Sequence, residues 1–169
     1  MMRKLLLVLF ALAMTGDVLA GPARESREPN PLVGTWRLIR YADTPQGGPA
    51  VHAFGESPIG QFIFTGDGHM SVHITHNPPN PPNASVDPNP DACVPSWYCG
   101  YFGTYTVDPE GRYWVTQVLG GNVVSYIGTE QKRAFTLEGD RLVISATYLA
   151  DGVEVQAERV LVREGDAQR

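Results

Sequence analysis

The chain has 169 residues and carries 13 basic against 18 acidic side chains, a formal charge of −5. An acidic chain without a Lys/Arg cluster repels phosphate backbones and anionic membranes, which argues against nucleic acid as a partner. The length suits one domain with a core of its own.

At the N-terminus Arg3 and Lys4 precede the apolar run Leu5 to Met14, and Val18-Leu19-Ala20 offers the small residue expected at a signal-peptidase site. Residues 1–20 therefore read as a signal peptide, since ten apolar residues cannot span a bilayer. The expected location is secreted or periplasmic, with no membrane insertion after cleavage. Removing Arg3, Lys4 and Asp17 leaves 11 basic against 17 acidic residues. Residues 21–31 hold three prolines and several charges and read as a flexible leader.

Structure is expected from Leu32. In Leu32-Val33-Gly34-Thr35-Trp36-Arg37-Leu38-Ile39-Arg40-Tyr41 the period is two, with Trp36, Leu38 and Arg40 on one face and Arg37, Ile39 and Tyr41 on the other. Residues 42–58, with Pro45, Gly47, Gly48, Pro49 and Pro58, read as a connection. The run Ile59 to Ile74 then predicts a hairpin: two stretches rich in aromatic and β-branched residues flank Gly66-Asp67-Gly68, whose Asp-Gly pair suits positive φ. Phe62 and Phe64 share one face, as do Met70, Val72 and Ile74.

Seven of the 14 prolines fall between Asn77 and Tyr98, so this span can neither pair as a strand nor wind as a helix. Residues 77–98 read as a long proline-rich loop insert, a length typical of lids, binding loops or inserts without structure. Asn83-Ala84-Ser85 is a glycosylation sequon that matters only in a eukaryote. Cys93 and Cys99, with five residues between them, suit a small-loop disulfide in an oxidising compartment.

Beyond Cys99 the alternation resumes over 101–107, 113–119, 123–127, 132–138, 142–149 and 153–162, divided by Gly- and Asp-rich turns. No stretch shows helical spacing for three turns. The prediction is an all-β chain of eight to nine antiparallel strands, an up-and-down barrel or a sandwich, with residues 164–169 as a tail.

Several of these pieces resemble a known family. Leu32-Val33-Gly34-Thr35-Trp36-Arg37-Leu38 looks like the Gly-x-Trp opening strand of lipocalin-type barrels. Together with Phe54 to Gly60, Gly66 to Val72, Tyr98-Cys99-Gly100, Gly103 to Asp108 and Arg133 to Leu142, it resembles a family of small lipocalin-like domain proteins of bacteria and fungi. The likeness covers about residues 32–163. It implies a closed antiparallel lipocalin-like barrel with a cavity open at one end. It also implies structural roles for Gly34 and Trp36, with a late-strand Arg packed over the Trp: Arg159 first, Arg163 second. The family pattern places a His where this chain has Gln117.

An eight-stranded barrel leaves room inside for side chains or one small ligand. The residues expected to line it are Phe62, Phe64, His73, Tyr101, Phe102, Tyr105, Tyr113, Trp114, Gln117 and Arg133. His73 and Tyr105 are the candidates for acid–base work, because a polar group in an apolar cavity has its pKa shifted by desolvation. Each has a plain alternative as a wall or rim residue. No metal site is expected: His69 and His73 share a face but stand roughly 13 Å apart at strand rise, and His52 and His76 lie elsewhere. Nucleophile-elbow, phosphate-loop and dinucleotide motifs are absent from the sequence, so no cofactor is expected. The leading function is a barrel that binds a small apolar molecule. The alternatives are a cofactor-independent isomerase or cyclase using the same cavity, and an interaction module whose proline-rich loop meets a partner.

Overall fold

The computed structural model describes residues 30–78, 93 and 97–165. The segment read as a signal peptide, most of the expected leader and of the proline-rich insert, the sequon at Asn83 and residues 166–169 lie outside the described residues. Eight strands follow one another: β1 (Gly34–Pro45), β2 (Ile59–Phe64), β3 (His69–Thr75), β4 (Tyr98–Val107), β5 (Tyr113–Gly121), β6 (Glu130–Glu138), β7 (Arg141–Ala150) and β8 (Val153–Arg163). Each pairs antiparallel with the next and β8 returns to β1, which closes the sheet into an up-and-down barrel.

The turns follow from local chemistry. Asp151-Gly152, both at positive φ (50° and 81°), make the two-residue reversal between β7 and β8. Gly139 at φ 56° opens the reversal between β6 and β7. The β2–β3 turn differs from expectation: only Gly68 is at positive φ. Its four-residue loop is held instead by Thr65, whose amide donates to the His69 carbonyl at 2.9 Å and whose hydroxyl bonds the Asp67 carboxylate.

Residues 123–127 are not a strand. After Gly121 the chain makes a single 3-10 turn at Val124–Tyr126 and comes straight back, with Gly128 donating to Val118. The amides of Tyr126 and Ile127 donate to Val123 and Val124, so the segment closes on itself instead of pairing with a strand. Val123 is buried there while Val124 stands 61% exposed, and β6 starts at Glu130.

A second departure lies in β1, which runs to Pro45 rather than ending at Tyr41. The register against β8 slips between Leu38 and Arg40. This bulge places one extra residue, Ile39, on the β1 side and reverses the alternation beyond it. Trp36 and Leu38 point inward as expected. Arg40 turns outward, where it meets Glu158 at 3.0 Å, and Tyr41 and Asp43 point in.

The closed end is filled. Trp36, Phe64, Trp114, Leu142 and Leu161 are almost wholly buried, with Met70, Tyr105 and Phe135 between them. Phe64 meets Trp114 and Tyr105 edge to face at 5.3 and 5.1 Å, an arrangement that aromatic quadrupoles favour. Arg163, not Arg159, stacks on Trp36, its guanidinium carbon 4.1 Å from the ring. The reason is antiparallel closure: the last residue of β8 lies opposite the start of β1, pairing Trp36 with Arg163, whereas Arg159 lies opposite Tyr41. Arg163 also donates to the Val33 and Pro31 carbonyls at 2.7 Å each, and the Trp36 indole N–H donates to Leu32 at 2.8 Å. Gly34 makes room for this plug. At φ 136° it holds a conformation side chains avoid, and a Cβ there would sit 2.8 Å from Arg163 Nη1.

Candidate functional site: a cavity in the open half of the barrel

The opposite half is hollow. On β7 and β8, Leu142 faces Leu161 near the closed end, while further along Ala146 faces Ala157. Two methyl groups cannot fill the space that two leucines fill below. The burial pattern shows the change: β7 alternates through Ile144, then every residue from Ser145 to Ala150 is exposed, with water outside and open space inside.

The result is a cavity of about 500 Å³, within the range of small-molecule sites. Phe62, Val72, Ile74 and Ile144 supply apolar wall, and Tyr41, Tyr101, Tyr126 and Tyr148 supply rings with hydroxyls. The disulfide between Cys93 and Cys99, whose Cα atoms are 4.9 Å apart, borders it. The 3-10 turn contributes Tyr126, which packs edge to face on Tyr101 at 5.8 Å.

The charged residues at the cavity are Asp43, Arg133, Arg159 and Lys132, whose ammonium sits over the Tyr113 ring. Arg159 Nη1 lies 2.8 Å from Asp43 Oδ1, both side chains nearly buried. The Nη1 hydrogens point at the Ala42 and Glu158 carbonyls, at 2.8 and 3.1 Å. Asp43 Oδ1 thus sits against the positive charge yet accepts no hydrogen bond among the described residues. The same guanidinium stacks 3.3 Å above the Tyr41 ring. Burial raises the Tyr41 phenol to about 12, despite the opposing pull of Arg159. Burial likewise raises Tyr101, against the pull of Arg133, and Tyr148. All three hydroxyls are protonated at neutral pH.

The residues expected to line the cavity divide into three groups. Phe62, Tyr101 and Arg133 do line it. Phe64, Trp114 and Tyr105 point inward but belong to the packed closed end, where the Tyr105 hydroxyl donates to Thr65 and accepts from Asn30. His73, Phe102, Tyr113 and Gln117 are on the outer face, each next to an inward neighbour on its strand. His73 Nδ1 meets the Tyr98 hydroxyl at 3.0 Å, Phe102 is 54% exposed, and Lys132 Nζ sits 3.6 Å over the Tyr113 ring. Neither candidate for acid–base work therefore touches the cavity. Among the described residues no group of three or more His, Cys, Asp or Glu could hold a metal ion.

Sequence reasoning missed Tyr41 because strict alternation put it on the other face, missed Asp43 because residues 42–58 read as a connection, and misplaced Arg159. A usable signal existed for Arg159: the first and last strands of an antiparallel barrel pair end to start.

A family model described as a lipocalin-like domain matches residues 33–163, nearly the span from β1 to the end of β8. The chain belongs to the lipocalin-like domain family. No curated protein matches it. Within this lipocalin-like barrel, the Gly34-x-Trp36 opening builds the closed end, and the residues that shape the cavity lie elsewhere, on the open halves of β1 to β4 and β6 to β8 and on the 3-10 turn.

Proposed function

We propose that this lipocalin-like protein binds a small, largely apolar molecule in the open half of its barrel. The observation that carries the reading is the hollow itself: a barrel able to fill its interior with leucine and tryptophan at one end has alanine against alanine at the other. Apolar walls with a few fixed polar groups are the usual composition of such a site. A conversion in the same cavity would have to use Asp43 and the tyrosines, since His73 and Tyr105 stand outside it. Binding is the reading the geometry favours. Export fits the same picture, because a disulfide suits an oxidising compartment.

The test fills the space. N-phenylnaphthylamine, an apolar fluorophore, should brighten on titration into the protein, and Ala146→Trp should abolish that signal while circular dichroism still reports the barrel. An unchanged titration with Ala146→Trp would remove the cavity as the binding site. Mass spectrometry of small molecules that co-purify with the natively produced protein would then identify the ligand.

A further inference from the structure

Resting on that reading, we propose that the bound molecule is an amphiphilic monoanion, an apolar body ending in a carboxylate, and that Arg133 receives the carboxylate. β6 places Phe135 in the packed half and Arg133 two residues nearer the mouth on the same face, bordering the cavity. The two cavity arginines differ in their partners. Arg159 is neutralised by Asp43, donates through Nη1 to two carbonyls and stacks on the Tyr41 ring. Arg133 meets no carboxylate among the described residues. It donates to the Lys132 carbonyl at 2.9 Å and to Gln131 Oε1 at 3.1 Å, and the Tyr101 hydroxyl lies beside it.

A guanidinium has five N–H donors in a planar fork, so donors remain for an incoming acceptor. A half-buried charge without a counter-ion is costly, and a carboxylate offers the bidentate geometry that best relieves that cost. Lys132 also borders the cavity but holds its ammonium over the outward Tyr113 ring, so one positive charge is left turned inward; that excess runs against the chain's net −5, and overall composition does not account for it. One unpaired charge matches a monoanion better than a doubly charged phosphate monoester. Phe62, Val72, Ile74 and Ile144 provide the wall for the apolar body.

Dansylaminoundecanoic acid and its methyl ester, matched in body and different in charge, test the proposal by fluorescence titration near neutral pH. The acid is expected to bind about tenfold more tightly than the ester, the gain of one charge-assisted pair. Arg133→Gln should remove that difference and leave the ester unchanged, while Arg133→Lys should keep part of it; melting curves establish that both variants are folded. Equal affinity for acid and ester, or an equal loss of both in Arg133→Gln, overturns the anion anchor and leaves the cavity reading standing. Failure of both probes to bind counts against the cavity reading and the anchor together. Tighter binding of a phosphate monoester of the same chain length would overturn the choice of carboxylate.

Discussion

Trp36 and Trp114 are both wholly buried at the closed end, yet their indole N–H groups differ. That of Trp36 donates to Leu32, and its ring carries Arg163. That of Trp114 has no partner among the described residues. A buried donor left unmade costs about 1–3 kcal/mol, so replacing Trp114 with Phe removes that cost along with some volume. Trp36→Phe instead strands the Leu32 carbonyl and shrinks the platform under Arg163. In chemical denaturation Trp36→Phe should lose roughly 2 kcal/mol or more, and Trp114→Phe clearly less. Gly34→Ala should cost about 2 kcal/mol as well, because it forces a side chain into positive φ and pushes Arg163 off its two carbonyls. Arg163→Ala as a background tests the cause: the part of the Gly34→Ala penalty that comes from the clash should vanish in the double mutant.

At the scale of the strand, the bulge between Leu38 and Arg40 decides what the cavity contains. Deleting Ile39, 38% exposed, should remove only the extra residue: Leu38 and Arg40 then alternate plainly against β8, Tyr41 and Asp43 stay inward, and the Asp43–Arg159 pair survives. The expected outcome is a folded barrel by circular dichroism that still binds the probe; loss of binding in a folded variant would show that Tyr41 and Asp43 do not owe their inward face to the extra residue. The same bulge explains what could be read in advance. The faces of β2 and β3 were legible because Phe62, Phe64, Met70, Val72 and Ile74 alternate without interruption, and the Gly-x-Trp opening pointed to the family. In Trp36-Arg37-Leu38-Ile39-Arg40-Tyr41, by contrast, apolar and charged residues fall on both parities, so an inserted residue leaves no trace in the pattern. The segment 123–127 misled for a related reason: β-branched composition describes strand preference, but local 3-10 bonds rather than a strand partner take its amides. Likewise the aromatic residues most conspicuous in the sequence fill the floor, while the cavity is made by alanines, whose smallness carries no signal of its own.

For the molecule as a whole, buried phenols set an alkaline limit. Tyr41, raised to about 12, and Tyr101 and Tyr105, raised by burial, stay protonated in the fold after their unfolded counterparts ionise near pH 10. Above that value the unfolded chain holds fewer protons than the native one, so stability falls as pH climbs. Their contribution is complete below pH 10 and is lost toward 12. Thermal melts should show the decline beginning near pH 10 in the native chain and softened in Tyr41→Phe. The disulfide adds a separate constraint: Cys93→Ser with Cys99→Ser should cost roughly 2 kcal/mol, the loop entropy of so short a ring.

The division of the barrel into a dry floor and a hollow upper storey also governs how it loosens. Amides of Trp36, Phe64, Trp114 and Leu161 have leucine and indole on every side, whereas those near Ala146 and Ala157 have only their ladder bonds to keep solvent deuterium out. Warming should therefore unzip the cylinder from its rim toward its plug. A guest seated above the plug would act as the missing keystone, slowing exchange along the upper rungs of β7 and β8 while the lower rungs hardly notice its arrival.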